Sequence, residues 1–183
     1  MKRIILPIFI ALALAACKPD APELPECLTA ASGFVAENCP DQGTCDFRYY
    51  ECSTLEVTDG EFGIQKELKA GENLVFHFEF TKIVSPLIMD AGYSESIWFE
   101  VKPEGNSFLI EQKDLEKAGA LFGRSCFCPD VGLFQITQGC IYGRKTGKHR
   151  WEVTLNVTAS GEYTTWNRMK QCDFVRSARP DLP

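Results

Sequence analysis

The stretch Leu-Val-Phe-His-Phe-Glu-Phe-Thr at residues 74–81 decides the fold. Large apolar side chains occupy every second position, and mostly polar ones lie between them: Leu74, Phe76, Phe78 and Phe80 against Val75, His77, Glu79 and Thr81. Successive side chains of a strand point to opposite faces, so this period of two predicts a strand with one face on the core and the other toward solvent. The same alternation returns where Trp151, Val153, Leu155 and Val157 follow one another.

Beyond these two segments, shorter strands are predicted at residues 47–57, 61–67, 96–101, 107–111, 133–142 and 162–166. Turn-forming residues separate them at a spacing typical of a sandwich. The sequence therefore predicts an all-β fold, a disulfide-stapled antiparallel β-sandwich of about seven to nine strands with at most one short helix. That helix would begin at Asp114, carry Leu115, Ala118 and Phe122 on one face, and end at Gly123. Pro86 makes the segment Ile83–Met89 an edge strand or a loop.

The composition limits the classes of function. The chain has 183 residues, enough for one domain with a proper core, and a formal net charge of −6. An acidic chain argues against a general nucleic-acid-binding protein, which needs a broad basic face. With two histidines, His77 and His149, a multi-histidine metal centre is hard to assemble. We therefore expect no enzyme, no metal and no cofactor.

The N-terminus carries an export signal. Lys2 and Arg3 precede an apolar run over residues 4–16, which is too short to span a bilayer and is typical of a signal peptide. The sequence Leu14-Ala15-Ala16-Cys17 resembles the lipobox of bacterial lipoproteins. The resemblance implies cleavage before Cys17, attachment of lipid (palmitate among the chains) to Cys17, and a place in the bacterial cell envelope. The alternative is an ordinary cleaved signal with a chance cysteine.

The residue after the lipidated cysteine bears on sorting. Asp at that position favours the inner membrane in sorting of the enterobacterial kind, and this chain has Lys18, so the resemblance implies an outer-membrane lipoprotein facing the periplasm or the cell surface. Two or three acyl chains give stable anchoring. The expected organisation is a signal peptide at 1–16, Cys17 with a Pro-rich tether at 17–26, one β domain at 27–175 and a flexible tail at 176–183.

Eight cysteines remain after Cys17, and an even number in an exported protein predicts four disulfides. They fall into two groups, each expected to pair within itself: Cys27, Cys39, Cys45 and Cys52, then Cys126, Cys128, Cys140 and Cys172. In Cys126-Phe127-Cys128-Pro129 the two thiols either join to form a labile pair suited to thiol exchange or bridge to different partners such as Cys140 and Cys172. The sequence favours the second interpretation, because alternate side chains of an extended segment share a face.

Two features are candidate contacts for a partner. The hairpin tip at residues 144–150 concentrates the bases Arg144, Lys145, Lys148 and Arg150 on an acidic chain, and is either an anion-binding contact or an ordinary solvated turn. Trp98 lies between Ile97 and Phe99, so it either faces out as an anchor for protein or glycan, or is buried in a second layer.

The function expected from these observations is a lipid-anchored, non-catalytic binding or assembly module of the envelope. Its partners would be the membrane, through the lipid, and an envelope protein or glycan, with no nucleic acid. Two alternatives stay open: an inhibitor of a lysozyme-like or other hydrolase, and a thiol-redox protein that uses Cys126 and Cys128.

Overall fold

The computed structural model describes Cys39, residues 42–84 and residues 92–176, without the side chains of 168–176. The predicted signal peptide, the predicted lipidation residue Cys17, the predicted tether, Cys27, most of the Ile83–Met89 segment and residues 177–183 of the predicted tail lie outside the described residues. Within them, no helix is both long and apolar enough to cross a bilayer.

Nine strands build the described chain, which confirms the predicted all-β antiparallel fold. Their bounds are β1 (Gly43–Gly60), β2 (Gly63–Ala70), β3 (Asn73–Lys82), β4 (Tyr93–Val101), β5 (Ser107–Ile110), β6 (Leu121–Cys126), β7 (Gly132–Gly147), β8 (Arg150–Ser160) and β9 (Thr165–Arg176). Among the described residues the helical structure is a single 3₁₀ turn at Gln112–Asp114.

The strands form one sheet that curls back on itself. Its order is β2-β1-β3-β4-β6-β7-β8-β9, with β5 added to β7, and β1 also pairs in parallel with the end of β9. As a result, opposite parts of the sheet face each other as the two layers of the fold. The ring of Phe76 on β3 meets Trp151 on β8 edge-on, with centroids 6.0 Å apart, although three strands separate them in the sheet.

The enclosed face holds the core that the two alternating segments predicted. Phe76, Phe78, Val153 and Leu155 are fully buried, and Trp151 is nearly so. Aromatic rings dominate this core, with Phe76 stacked on Phe99 at a centroid distance of 5.0 Å. Burying one such side chain contributes roughly 1.5–3 kcal/mol to the free energy of folding. The buried side chains of the two alternating strands therefore contribute much of the hydrophobic stabilisation.

A second, smaller cluster covers part of the outer face. β1 bulges near Cys52, whose φ is +51°, and its second half continues with β2 as a hairpin. That hairpin packs on the outer face of β3, β4 and β6, and the buried members of this cluster are Tyr50, Leu55, Val75, Trp98 and Leu121. Val75 and His77 do lie opposite the Phe76 face, but the prediction that they meet solvent is wrong, because the hairpin covers them.

The predicted helix is replaced by a turn and a strand. Gly119 adopts a φ of +56°, its N–H donates to the carbonyl of Glu116, and the N–H of Ala120 donates to the carbonyl of Leu115. These two bonds form a Schellman motif, which ends a helical turn. Phe122 and Gly123 therefore lie in β6, and the helix expected from Asp114 to Gly123 is reduced to a short turn before it.

The two ends of the curled sheet differ in what they carry. Gly43, where β1 begins, pairs with Lys82 at the end of β3, and the same end holds the loops after β6 and β8. We call this the entry end. The turn between β7 and β8, at residues 147–150, lies at the opposite end. β7 has 16 residues and runs between the two ends, so at about 3.3 Å per residue the strand is roughly 50 Å long when measured along its path.

Candidate functional site

The tip of the β7–β8 hairpin is the basic feature that the sequence singled out. The two strands stay paired up to Gly147 and Arg150, so Lys148 and His149 form the turn itself. Every residue from 144 to 150 is exposed. The hairpin tip predicted from the sequence is present, with Lys148 in the turn and Arg144, Lys145 and Arg150 on the strand ends beside it.

The charge of this basic tip is largely uncompensated. The guanidinium of Arg144 forms an ion pair with Glu152 at 3.1 Å, and both side chains are solvated, so the pair contributes little to stability. The other ion pairs found among the described side chains lie elsewhere and leave out Lys145, Lys148 and Arg150. These three cations are available to an anionic partner, while the chain as a whole is acidic.

Trp98, the second predicted contact, is covered. It lies on the outer face of β4, but only 9% of its surface is exposed because the β1–β2 hairpin packs over it. The ammonium of Lys66 on β2 stands 3.9 Å above the Trp98 ring, a cation–π contact that sequence reasoning missed. The prediction of Trp98 as an exposed anchor is therefore wrong, and the alternative of burial in a second layer is correct.

His77 lies under the same hairpin and shares its ring stack. Its imidazole is parallel to Trp98, with centroids 3.7 Å apart. Burial, the nearby Lys66 and the nearby Arg48 lower the pKa of His77 to about 3. Burial also lowers the pKa of Lys66, against the opposing effect of Glu79. His77 is consequently neutral and covered, which is the environment of a structural histidine and not of a solvent-exposed general base.

The uncovered part of the outer face forms two shallow, adjoining depressions. The first, of about 360 Å³, is floored by Ser94, Ser96, Gly123 and Ser125 and flanked by Glu79. The second, of about 400 Å³, extends to Cys126 and Phe127. The described residues hold no cluster of three or more potential metal ligands.

The cysteines pair only partly as expected. Cys39 joins Cys45 within the first group, as predicted. Cys126 joins Cys128, which contradicts the favoured interpretation that each bridges to a different partner and agrees with the alternative. Cys140 is also disulfide-bonded, whereas the side chain of Cys172 lies outside the described residues.

Cys52 departs from the prediction of four disulfides. Its thiol is free and exposed, because the bulge at this residue turns its side chain to the surface at a positive φ. The remaining member of its group, Cys27, lies outside the described residues. An exposed, unpaired thiol is open to modification or to pairing with another chain.

Comparisons with protein-family models, with curated proteins and with solved structures found no match to this chain.

Proposed function

We propose that this protein is a lipid-anchored, non-catalytic binding module of the bacterial outer membrane. In this account Cys17 carries the lipid, and the basic tip at residues 144–150 contacts an anionic envelope protein or glycan. The observation that carries the proposal is the placement of the tip: four exposed bases in and next to a hairpin turn, at the end opposite the one where β1 begins. A domain tethered at its entry end presents this turn away from the anchor.

Electrostatics supports an anionic partner. Removal of the signal peptide would take away Lys2 and Arg3, so the mature chain would be more acidic than the full sequence, whose net charge is −6. A local basic group on an acidic body orients an approaching anion toward one point and repels it elsewhere. Such steering raises the rate at which the partner associates and fixes the orientation in which it docks. An assembly module needs both properties.

The proposal is tested by photocrosslinking in cells that express the full chain. A photoreactive amino acid at position 145 is compared with one at position 113, which is also exposed and lysine-bearing but lies on the 3₁₀ turn. We expect position 145 to trap one envelope protein or glycan that position 113 does not. Trapping of the same species at both positions, or of nothing at 145, would contradict the proposal.

A second candidate function is thiol–disulfide exchange, favoured by the direct pairing of Cys126 with Cys128 next to an open depression. A substrate thiolate would attack one sulfur of the pair, giving a mixed disulfide and releasing the other as a thiolate. Attack on the mixed disulfide by a second substrate thiol would leave an oxidised substrate and the protein as a dithiol. Oxidation of a dithiol peptide by the wild type but not by the Cys126→Ser/Cys128→Ser variant would support this activity, and equal rates would exclude it.

A third possibility, inhibition of a hydrolase, uses the same tip. It requires the turn at residues 147–150 to enter an active site and block it. A lysozyme assay with added protein separates it from assembly: dose-dependent loss of lysozyme activity supports inhibition, and an unchanged rate leaves the binding module as proposed.

A further inference from the structure

Exposed apolar side chains gather at the entry end of the domain. Six large apolar residues are exposed among the described residues, and four of them lie at this end: Ile83 (67%), Phe127 (87%), Val131 (55%) and Tyr163 (73%). Single exposed apolar residues are ordinary on protein surfaces. Four of the six at one end of the domain are a local concentration, or patch, of apolar surface, and such patches mark a surface that meets another phase or molecule. We call these four residues the apolar end.

The loops of this end are held together by specific contacts. The carboxylate of Asp130 accepts hydrogen bonds from the backbone N–H of Tyr163, at 3.0 and 3.1 Å. A side chain on Gly161 would place its Cβ 2.8 Å from Asp130, so glycine is what lets the two loops approach this closely. The loop that carries Phe127 and Val131 is thus attached to the loop that carries Tyr163.

Ile83 lies at the same end, beside the residue that precedes β1. Its backbone N–H donates to the carbonyl of Gln42 at 2.8 Å. Gly43 is the first residue of β1, and the nearby Cys45 forms a disulfide with Cys39, so Cys39 lies at the same end. Cys39 follows Cys17 by 22 residues. The first described residues after the proposed lipidation residue therefore lie at the apolar end.

We infer that the apolar end rests in the interface of the bilayer that holds the lipid anchor. The inference depends on the proposed lipidation of Cys17, which brings this end to the membrane. Phenyl, phenol and branched aliphatic side chains partition into the headgroup and acyl boundary, where a tyrosine keeps its hydroxyl in water. The lipid and the patch then bind the same surface, and each raises the effective concentration of the other.

This contact between the apolar end and the bilayer, which we call the seat, sets the orientation of the domain on the membrane. With the apolar end seated, the basic tip at residues 144–150 points away from the anchoring leaflet, because it lies at the other end of β7. The inference therefore deepens the proposed function: the seat orients the site that captures the partner.

The test uses the full lipidated chain in vesicles of phosphatidylethanolamine and phosphatidylglycerol that contain brominated acyl chains. Bromine quenches tryptophan fluorescence only within the bilayer. Phe127→Trp adds a probe in the apolar end, and Phe62→Trp is the matched control, because Phe62 is 91% exposed at the tip of the β1–β2 hairpin. We expect the Phe127→Trp variant to lose at least twice the fraction of fluorescence that the Phe62→Trp variant loses.

Other results distinguish the seat, which is contact of the apolar end with the bilayer, from anchoring by the lipid on Cys17. Protein that does not float with the vesicles would overturn both the lipid anchor and the seat. Protein that floats while the two variants are quenched equally would overturn the seat alone. Efficient photocrosslinking of position 127 to a protein in cells would also overturn it, since the patch would then be a protein interface.

Discussion

The carboxylate of Glu100 accepts a hydrogen bond of 2.8 Å from the backbone N–H of Leu55. The same oxygen accepts a second bond, of 2.9 Å, from the hydroxyl of Thr54. Glu100 lies on the outer face of β4, and the two donors belong to the part of β1 that continues into the hairpin. One side chain thus pins the hairpin to the sheet and keeps Trp98 and His77 covered.

Removing this acceptor should loosen the hairpin. In Glu100→Ala the N–H of Leu55 loses its partner in a partly buried position, which costs about 1–3 kcal/mol of unfolding free energy. Glu100→Gln keeps an oxygen acceptor and should cost less. Urea denaturation of the two variants measures both, and equal losses would show that the carbonyl-type acceptor at this position is not what holds the hairpin.

Acidification should destabilise the protein through His77. Its folded-state pKa of about 3 is below the ordinary 6.5, so the unfolded chain binds the proton first and stability falls as pH drops from 6.5 toward 3. Between pH 7 and pH 4 this loss amounts to about 3 kcal/mol. His77→Phe keeps a ring against Trp98 but has no group that titrates, so we expect its unfolding free energy to lack this loss at low pH. Urea unfolding of the wild type and the variant at several pH values measures the difference. Parallel curves would refute the assignment to His77.

The enclosed face of β3 should be the most sensitive to truncation. Phe78 is fully buried and stacks on Phe47 with centroids 5.1 Å apart. Phe78→Ala should lower the unfolding free energy by about 3–5 kcal/mol. Phe62→Ala, at the exposed hairpin tip, is the matched control and should change it by less than about 0.5 kcal/mol. A loss below about 1 kcal/mol for Phe78→Ala would mean that the register of β3 is wrong.

The cysteine pattern gives a chemical prediction. Digestion without reduction, followed by mass spectrometry, should yield peptides that join Cys39 to Cys45 and Cys126 to Cys128, and a thiol reagent should label Cys52. Replacing both Cys39 and Cys45 by Ser should cost about 2 kcal/mol, because this disulfide closes a short loop. A peptide joining Cys126 to Cys140 would contradict the pairing.

The sequence was most informative where one side of a strand is apolar. The alternation around Phe78 and around Trp151 predicted both strands and their buried faces, since a period of two maps directly onto the two sides of a sheet. It did not predict what covers the outer side. The β1–β2 hairpin depends on a bulge at Cys52 and on distant contacts such as that of Lys66 with Trp98, which leave no local pattern.

The prediction for the segment that forms β6 was wrong for a different reason. Leu115, Ala118 and Phe122 match a helical period, and the sequence therefore favoured a helix ending at Gly123. The left-handed conformation of Gly119 ends the turn four residues earlier, and Phe122 is buried from a strand instead. The basic tip was found because its four bases fall within seven consecutive residues of the sequence. The apolar end was not, because its members come from three separate connections that only the fold brings together.

The central claim, capture of an anionic partner by the basic tip, is tested most directly by reversing its charge. Lys145→Glu/Lys148→Glu is compared with Lys113→Glu/Lys117→Glu, which changes the net charge equally at two other exposed lysines. Full-length proteins are immobilised on vesicles, and the envelope species trapped at position 145 is measured by quantitative mass spectrometry after capture from solubilised envelopes. We predict that the tip variant loses at least ten-fold in capture with an unchanged melting temperature, while the control binds like the wild type. Equal capture by both variants would contradict the account.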